Sequence, residues 1–265
     1  MRLRKALLVA RKDWKEVFSS KLTLASFTLP YAIPMLIIFM LTAIASLSPE
    51  GLTPEELEHL RSILPGAEGL TEEQITAYLI GALILPLMFL LATLISSSTI
   101  AADSFAGEKE RKTIEPLLAA PISEAELFLG KVLVSFIPSI ALLYISFGIS
   151  CLLVNALTAG IFGYLWFPTL NATLMVCLVG PPYAFLGMCL VIIGSTRAST
   201  VRDASNYAGV LILPILAILL AQLAGLMVME AIHIVALAGL LALIDAMVFK
   251  LAYTTFNREE LITRL

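Results

Sequence analysis

The side chains able to do chemistry crowd into one stretch of a very apolar chain. Between Asp103 and Lys131, ten of twenty-nine residues are charged: Asp103, Glu108, Lys109, Glu110, Arg111, Lys112, Glu115, Glu124, Glu126 and Lys131. Elsewhere the candidates are sparse. His59 and His233 are the two histidines, too few for an H-E-x-x-H or multi-histidine metal site. Cys151, Cys177 and Cys189 sit inside apolar runs, at spacings that suit neither zinc nor a disulfide framework, and read as small hydrophobes. Gly130-Lys131-Val132 lacks the first glycine and the Ser/Thr of a phosphate-binding loop. No G-x-S-x-G elbow offers a nucleophile. Asp245 stands in an apolar run, where a carboxylate is costly. It reads either as an intramembrane polar site or as one half of a pair with a neighbouring span. The sequence thus predicts no catalysis, no metal and no cofactor held by this chain. The chemistry left to the 103–131 block is recognition.

The elements around that block must be membrane spans. The chain has 265 residues, 59% hydrophobic and 14% charged, with a mean hydropathy of +0.95. A soluble domain carries about 25% charged residues, so the composition predicts an all-α integral membrane protein. A net charge of −3 leaves no basic face for nucleic acid.

Residues 1–21 hold seven Lys/Arg, with Leu3, Leu7, Ala10, Trp14, Val17 and Phe18 at helical spacing. This predicts an amphipathic elbow helix lying on lipid, with Arg11 among its cations and Trp14 and Phe18 at headgroup depth. Residues 22–265 then form the six-span domain. The uncharged run 22–47 is span one, kinked at Pro30 and Pro34. A loop over 48–74 carries seven Glu and one cation, Arg61. Thr53-Pro54-Glu55-Glu56 starts a short helix within it, and Thr71-x-x-Gln74 is a capping box opening span two, about 76–101. Sixty-five uncharged residues follow Lys131. They divide near Thr158–Pro168 into spans three and four, about 132–156 and 170–194. Span five starts near Asn206 and span six covers about 233–253. Residues 223–232 read either as a turn or as a short re-entrant helix.

Sixteen of the seventeen Lys/Arg fall on the N-terminus, on the loops 103–131 and 196–205, and on the tail from Lys250. The positive-inside rule therefore predicts six spans with both termini cytoplasmic, in the cell membrane. Within the block, Thr113 can cap a short helix over 114–120 that ends before Pro121, and Ser123-x-x-Glu126 opens the helix into span three. Ile114, Leu117 and Leu118 share one face of that short helix. Two uses remain open from the residues alone: docking in a partner's groove, or packing beneath the chain's own spans.

The pattern Glu108-x-Glu110-Arg111-Lys112-Thr113-x-Glu115-x-Leu117-Leu118-x-x-Pro121-x-Ser123, followed by Gly130-Lys131, resembles the signature loop of ABC-2-type transporter permeases. It is most similar to the branch holding sodium-efflux and drug exporters. The basic N-terminus, the six spans and the Arg-Ala-Ser-Thr-x-Arg stretch extend the resemblance along the chain. Many members of the class have Gly where Lys112 stands here. The resemblance implies a permease subunit of an ATP-driven exporter, paired with a second permease copy or homologue. It implies that the loop forms a coupling helix against a separate ATPase subunit, which would carry the ATP and Mg. Glu108, Arg111, Thr113, Ile114, Glu115, Leu117, Leu118 and Pro121 are the implied contact residues, helped by the elbow helix. The rival expectation is a stand-alone secondary transporter or channel.

Overall fold

The computed structural model describes residues 3–47, 53, 55, 58, 61, 64, 66, 67, 69–111, 122–227 and 229–255. Among the described residues there is no strand, and six helical stretches are long and apolar enough to cross a membrane. They are Lys21–Met40, Glu72–Glu110, Glu124–Phe162, Leu170–Ser195, Val201–Leu223 and Ala231–Thr255. The expected all-α, six-span architecture is the one observed.

Helix α1 runs Leu3–Ser19. Ser20 ends it with an extended backbone and caps α2, Lys21–Thr28, by accepting from the Thr23 N–H. Pro30 then lies in a tight three-residue turn, Leu29–Tyr31, before α3, Ala32–Leu47. The expected kink at Pro30 is this turn. Pro34 leaves α3 intact, because N–H groups of a first helical turn have no intrahelical acceptor to lose.

Span two begins as predicted at the Thr71/Gln74 capping box. It comprises α4, Glu72–Tyr78, a wider π-helical stretch Leu79–Ile84, and α5, Leu85–Glu110. Pro86 has no N–H to offer the Ala82 carbonyl. Just ahead of it the ladder has widened, with Leu85 N donating to Ile80 O. Span four repeats the device. Thr169 caps α7, Leu170–Leu174; a π-helical stretch Met175–Val179 follows; then α8, Gly180–Ser195, has Pro181 and Pro182 in its first turn.

Between them, α6 covers Glu124–Phe162, opened by the predicted Ser123/Glu126 box and closed at Gly163, whose φ of +69° favours glycine. The break therefore falls within the expected stretch, Thr158–Pro168. Asn155 holds that corner, its Oδ1 accepting from Trp166 N at 3.0 Å and Phe167 N at 3.2 Å. Trp166 stacks on Phe162 with centroids 4.6 Å apart, over Gly81, where a Cβ would come within 2.5 Å of the indole.

Span five starts earlier than predicted, at Thr200, whose hydroxyl caps α9, Val201–Gly209, by accepting from Asp203 N. A turn at Val210–Leu211 leads to α10, Ile212–Leu223. Of the two readings of 223–232, the turn is observed: Gly225 has φ +67° and the described residues between Leu223 and Ala231 are not helical. Helix α11 is Ala231–Thr255.

Spans two and four form the buried centre. Apolar helices gain little from each other's apolar surface in lipid, so close approach and hydrogen bonds hold them. Small residues of α5, α6 and α8 supply both. Ser97 donates to Ala184 O at 3.0 Å, Tyr31 donates to Thr93 Oγ1 at 3.2 Å and to Ser139 O at 3.1 Å, and Gly187 leaves room for Leu94. Spans five and six present Leu213, Leu220, Leu240, Leu243 and Met247 outward.

The chain's two ends sort as six crossings require. At one end, Lys12 of α1 meets Glu108, and Lys109 and Glu110 meet Ser195 and Val201. At the other, Gln74 donates to Ile161 O at 2.9 Å and Asn171 to Met229 O at 3.0 Å, joining the loops that follow spans one, three and five.

Candidate functional site

The charged block emerges from the end of α5 and returns at the start of α6. Its centre, residues 112–121, lies outside the described residues, and with it Thr113, Ile114, Glu115, Leu117, Leu118 and Pro121. Its two bases are described, and each charged side chain of Glu108–Arg111 has a distinct partner.

Glu108 and Lys131 close the base. Lys131 is 2% exposed and Glu108 5%, with Nζ and Oε2 2.5 Å apart. The Lys131 ammonium also donates to Ser104 O and lies 5.2 Å from the Phe105 ring centroid. Lys12 of α1 reaches the other carboxylate oxygen at 3.5 Å, and Ser104 donates to Asp13 Oδ2 at 3.4 Å. Three elements thus meet in one buried charge cluster: α1, the end of α5 and the start of α6. A buried pair of this kind is worth little against an apolar substitute, but removing one partner strands the other charge.

Lys109 and Glu110 turn the other way. Lys109 Nζ donates to Ser195 O at 2.9 Å and Thr196 O at 3.3 Å, at the end of α8. Glu110 Oε2 accepts from Val201 N at 2.9 Å, at the start of α9. Arg111 returns to its own helix, with Nη1 2.9 Å from Asp103 Oδ1.

Helix α1 is seated on α6 through Gly130. A Cβ there would lie 2.8 Å from Ala6 O and 2.9 Å from Val9 Cβ, so glycine permits the contact. Trp14 Nε1 donates to Val134 O at 3.3 Å. The buried stripe of α1 is Ala6, Val9, Ala10, Asp13 and Val17. It includes Ala10 and Val17 of the apolar stripe read from the sequence. Leu7 and Phe18 face out with the exposed Arg11, and Phe18 meets Phe27 edge to face at 6.1 Å. Small residues win the packed face because backbone approach at Gly130 leaves no room for Leu or Phe.

Of the expected site residues, Glu108 and Arg111 are placed against this chain's own elements, and Glu108 does not offer its carboxylate to the surface. Sequence reasoning passed over Lys12, Asp13 and Ser104 and gave no role to Lys109 or Glu110. The i, i+4 spacing of Ser104 and Glu108 and the Thr200-x-x-Asp203 cap were available signals. Asp245 is buried in span six, with Oδ1 lacking a hydrogen bond. Among the described residues, no three His, Cys, Asp or Glu are grouped to hold a metal.

The sequence profile of the ABC-2 family transporter proteins matches residues 7–260, nearly the whole chain. The chain belongs to the ABC-2 transporter family. It is a multi-pass membrane protein of that family, with six helices long and apolar enough to cross a membrane among the described residues. Over 60 residues it is 40% identical to the ABC transporter permease protein NatB of Bacillus subtilis (strain 168), a stretch covering 23% of this chain and 16% of that relative.

Proposed function

We propose that this ABC-2 permease is the membrane half of an ATP-driven exporter, coupled to its ATPase through residues 113–120. The observation that carries the reading is the buried Glu108–Lys131 pair. It joins the end of α5 to the start of α6, on either side of the segment, and Lys12 ties that root to the elbow helix. A partner pressing on Ile114, Leu117 and Leu118 would push against a fixed root and not against a slack tether. Arg111, Thr113, Glu115 and Pro121 complete that contact, and Glu108 serves it from below. The ATP and Mg belong to the partner subunit, and a second permease copy completes the transporter. The basic end of the bundle faces the cytoplasm, as the placement of Lys/Arg favours, and cargo moves away from it.

The test changes Leu117 and Leu118 to Asp in the full chain co-expressed with its ATPase subunit. The expected result is loss of ATPase capture or, in complexes that still form, loss of ATP-driven transport into inside-out vesicles. Assembled complexes that transport at the native rate would contradict the coupling role. One feature favours a second reading, a stand-alone transporter or channel: the unsatisfied Asp245 carboxylate in span six. That reading requires flux in vesicles lacking any ATPase, abolished by Asp245→Asn.

A further inference from the structure

Lys109 and Glu110 are neighbours of opposite charge, and they meet two helix ends of opposite polarity. The last carbonyls of a helix are unsatisfied acceptors at its negative end, and the first N–H groups are unsatisfied donors at its positive end. Lys109 bonds the Ser195 and Thr196 carbonyls as α8 finishes. Glu110 bonds the Val201 N–H as α9 begins. Each charge has the sign that its helix end favours. The two contacts grip both sides of the short junction between spans four and five. Successive helical residues are turned by about 100°, which is why Glu108 can face α6 and α1 while Lys109 and Glu110 face α8 and α9.

We infer that Lys109 and Glu110 are positioning residues that carry movement of the partner-facing segment into spans four and five. The inference rests on the coupling reading above. Two routes then leave three successive residues. Glu108 binds the segment's root to the elbow helix and span three through Lys131 and Lys12. Lys109 and Glu110 make the ends of spans four and five follow any displacement of the end of α5. Span five suits a moving part, because most of its apolar surface, including Leu213, Leu216, Leu220 and Leu223, faces away from the rest of the chain.

The test is the double exchange Lys109→Glu with Glu110→Lys. It keeps composition and net charge but sets an acid at the end of α8 and a base at the start of α9. The complex with the ATPase subunit is purified whole from a chain whose Cys151, Cys177 and Cys189 are changed to Ala, and spin labels are placed at Leu152→Cys in α6 and Leu220→Cys in α10, both exposed. The distance distribution is measured without nucleotide and with ATP and vanadate. The expected result is a nucleotide-dependent shift in the otherwise native protein. In the exchange variant, with the ATPase still captured, the shifted-to-unshifted ratio falls by about fivefold or more, the low end of ordinary coupling between sites. Lys109→Arg with Glu110→Asp restores it, which a mere loss of folding would not allow. A full shift in the exchange variant overturns the inference, and so does a native protein whose α6–α10 distance ignores nucleotide. Loss of ATPase capture on exchange overturns it too, by moving both residues into the docking surface. The coupling reading falls separately, if the Leu117 and Leu118 variants capture the ATPase and transport normally.

Discussion

Glu108 and Lys131 lie twenty-three positions apart and share one buried contact. A charge so placed tolerates its partner's loss badly: removing one member of a buried pair costs about 3–5 kcal/mol, whereas replacing both with apolar groups is often neutral. Lys131→Met alone is therefore expected to lower the unfolding temperature of the detergent-solubilised protein by several degrees. Glu108→Leu with Lys131→Met should recover most of that loss, and equal melting of the single variant and the native chain would remove the pair from the account. The sequence placed both residues in the right block but could not pair them. Glu108 sits in a run of five charges, the usual mark of a solvated helix face, and its burial is set by α6 and α1 arriving from elsewhere in the chain. Lys109 and Glu110 escaped notice because their partners are backbone groups at helix ends, of which only the start of α9 is marked in the sequence, by the Thr200-x-x-Asp203 cap.

Among the elements, the contact of α1 with α6 is the one most open to change. Any side chain at position 130 must displace the backbone of Ala6 or the side chain of Val9, and such overpacking costs about 1–3 kcal/mol. Gly130→Val should lift α1 and expose Trp14. With Trp166→Phe removing the second of the two tryptophans, the remaining emission should move to longer wavelength. Unchanged emission would mean that α1 is not seated through Gly130. Local signals served well at this scale. The Thr71/Gln74 and Ser123/Glu126 boxes are made by residues three apart, so their sequence suffices, and both caps form. The buried face of α1 was not legible in the same way. Leu7 and Phe18 satisfy a helical stripe, but which stripe packs is decided by the fit at Gly130, 120 or so residues further along. In a membrane protein an apolar stripe has two possible apolar destinations, protein and lipid, and spacing does not choose between them.

At the scale of the whole molecule, charge asymmetry and apolar run length were enough for six spans, because lipid admits few alternatives to a helix across it. The contacts between loops at each end agree with that count. What the molecule does with six spans turns on whether the 113–120 segment meets an ATPase. A photo-crosslinking amino acid at position 117 of the full chain, irradiated in the complex purified from membranes, answers this directly. The account predicts a covalent product joining this chain to a P-loop ATPase subunit, absent when the same group stands at position 66 on the opposite end of the bundle. Products confined to this chain, from complexes in which the ATPase is present, would contradict it.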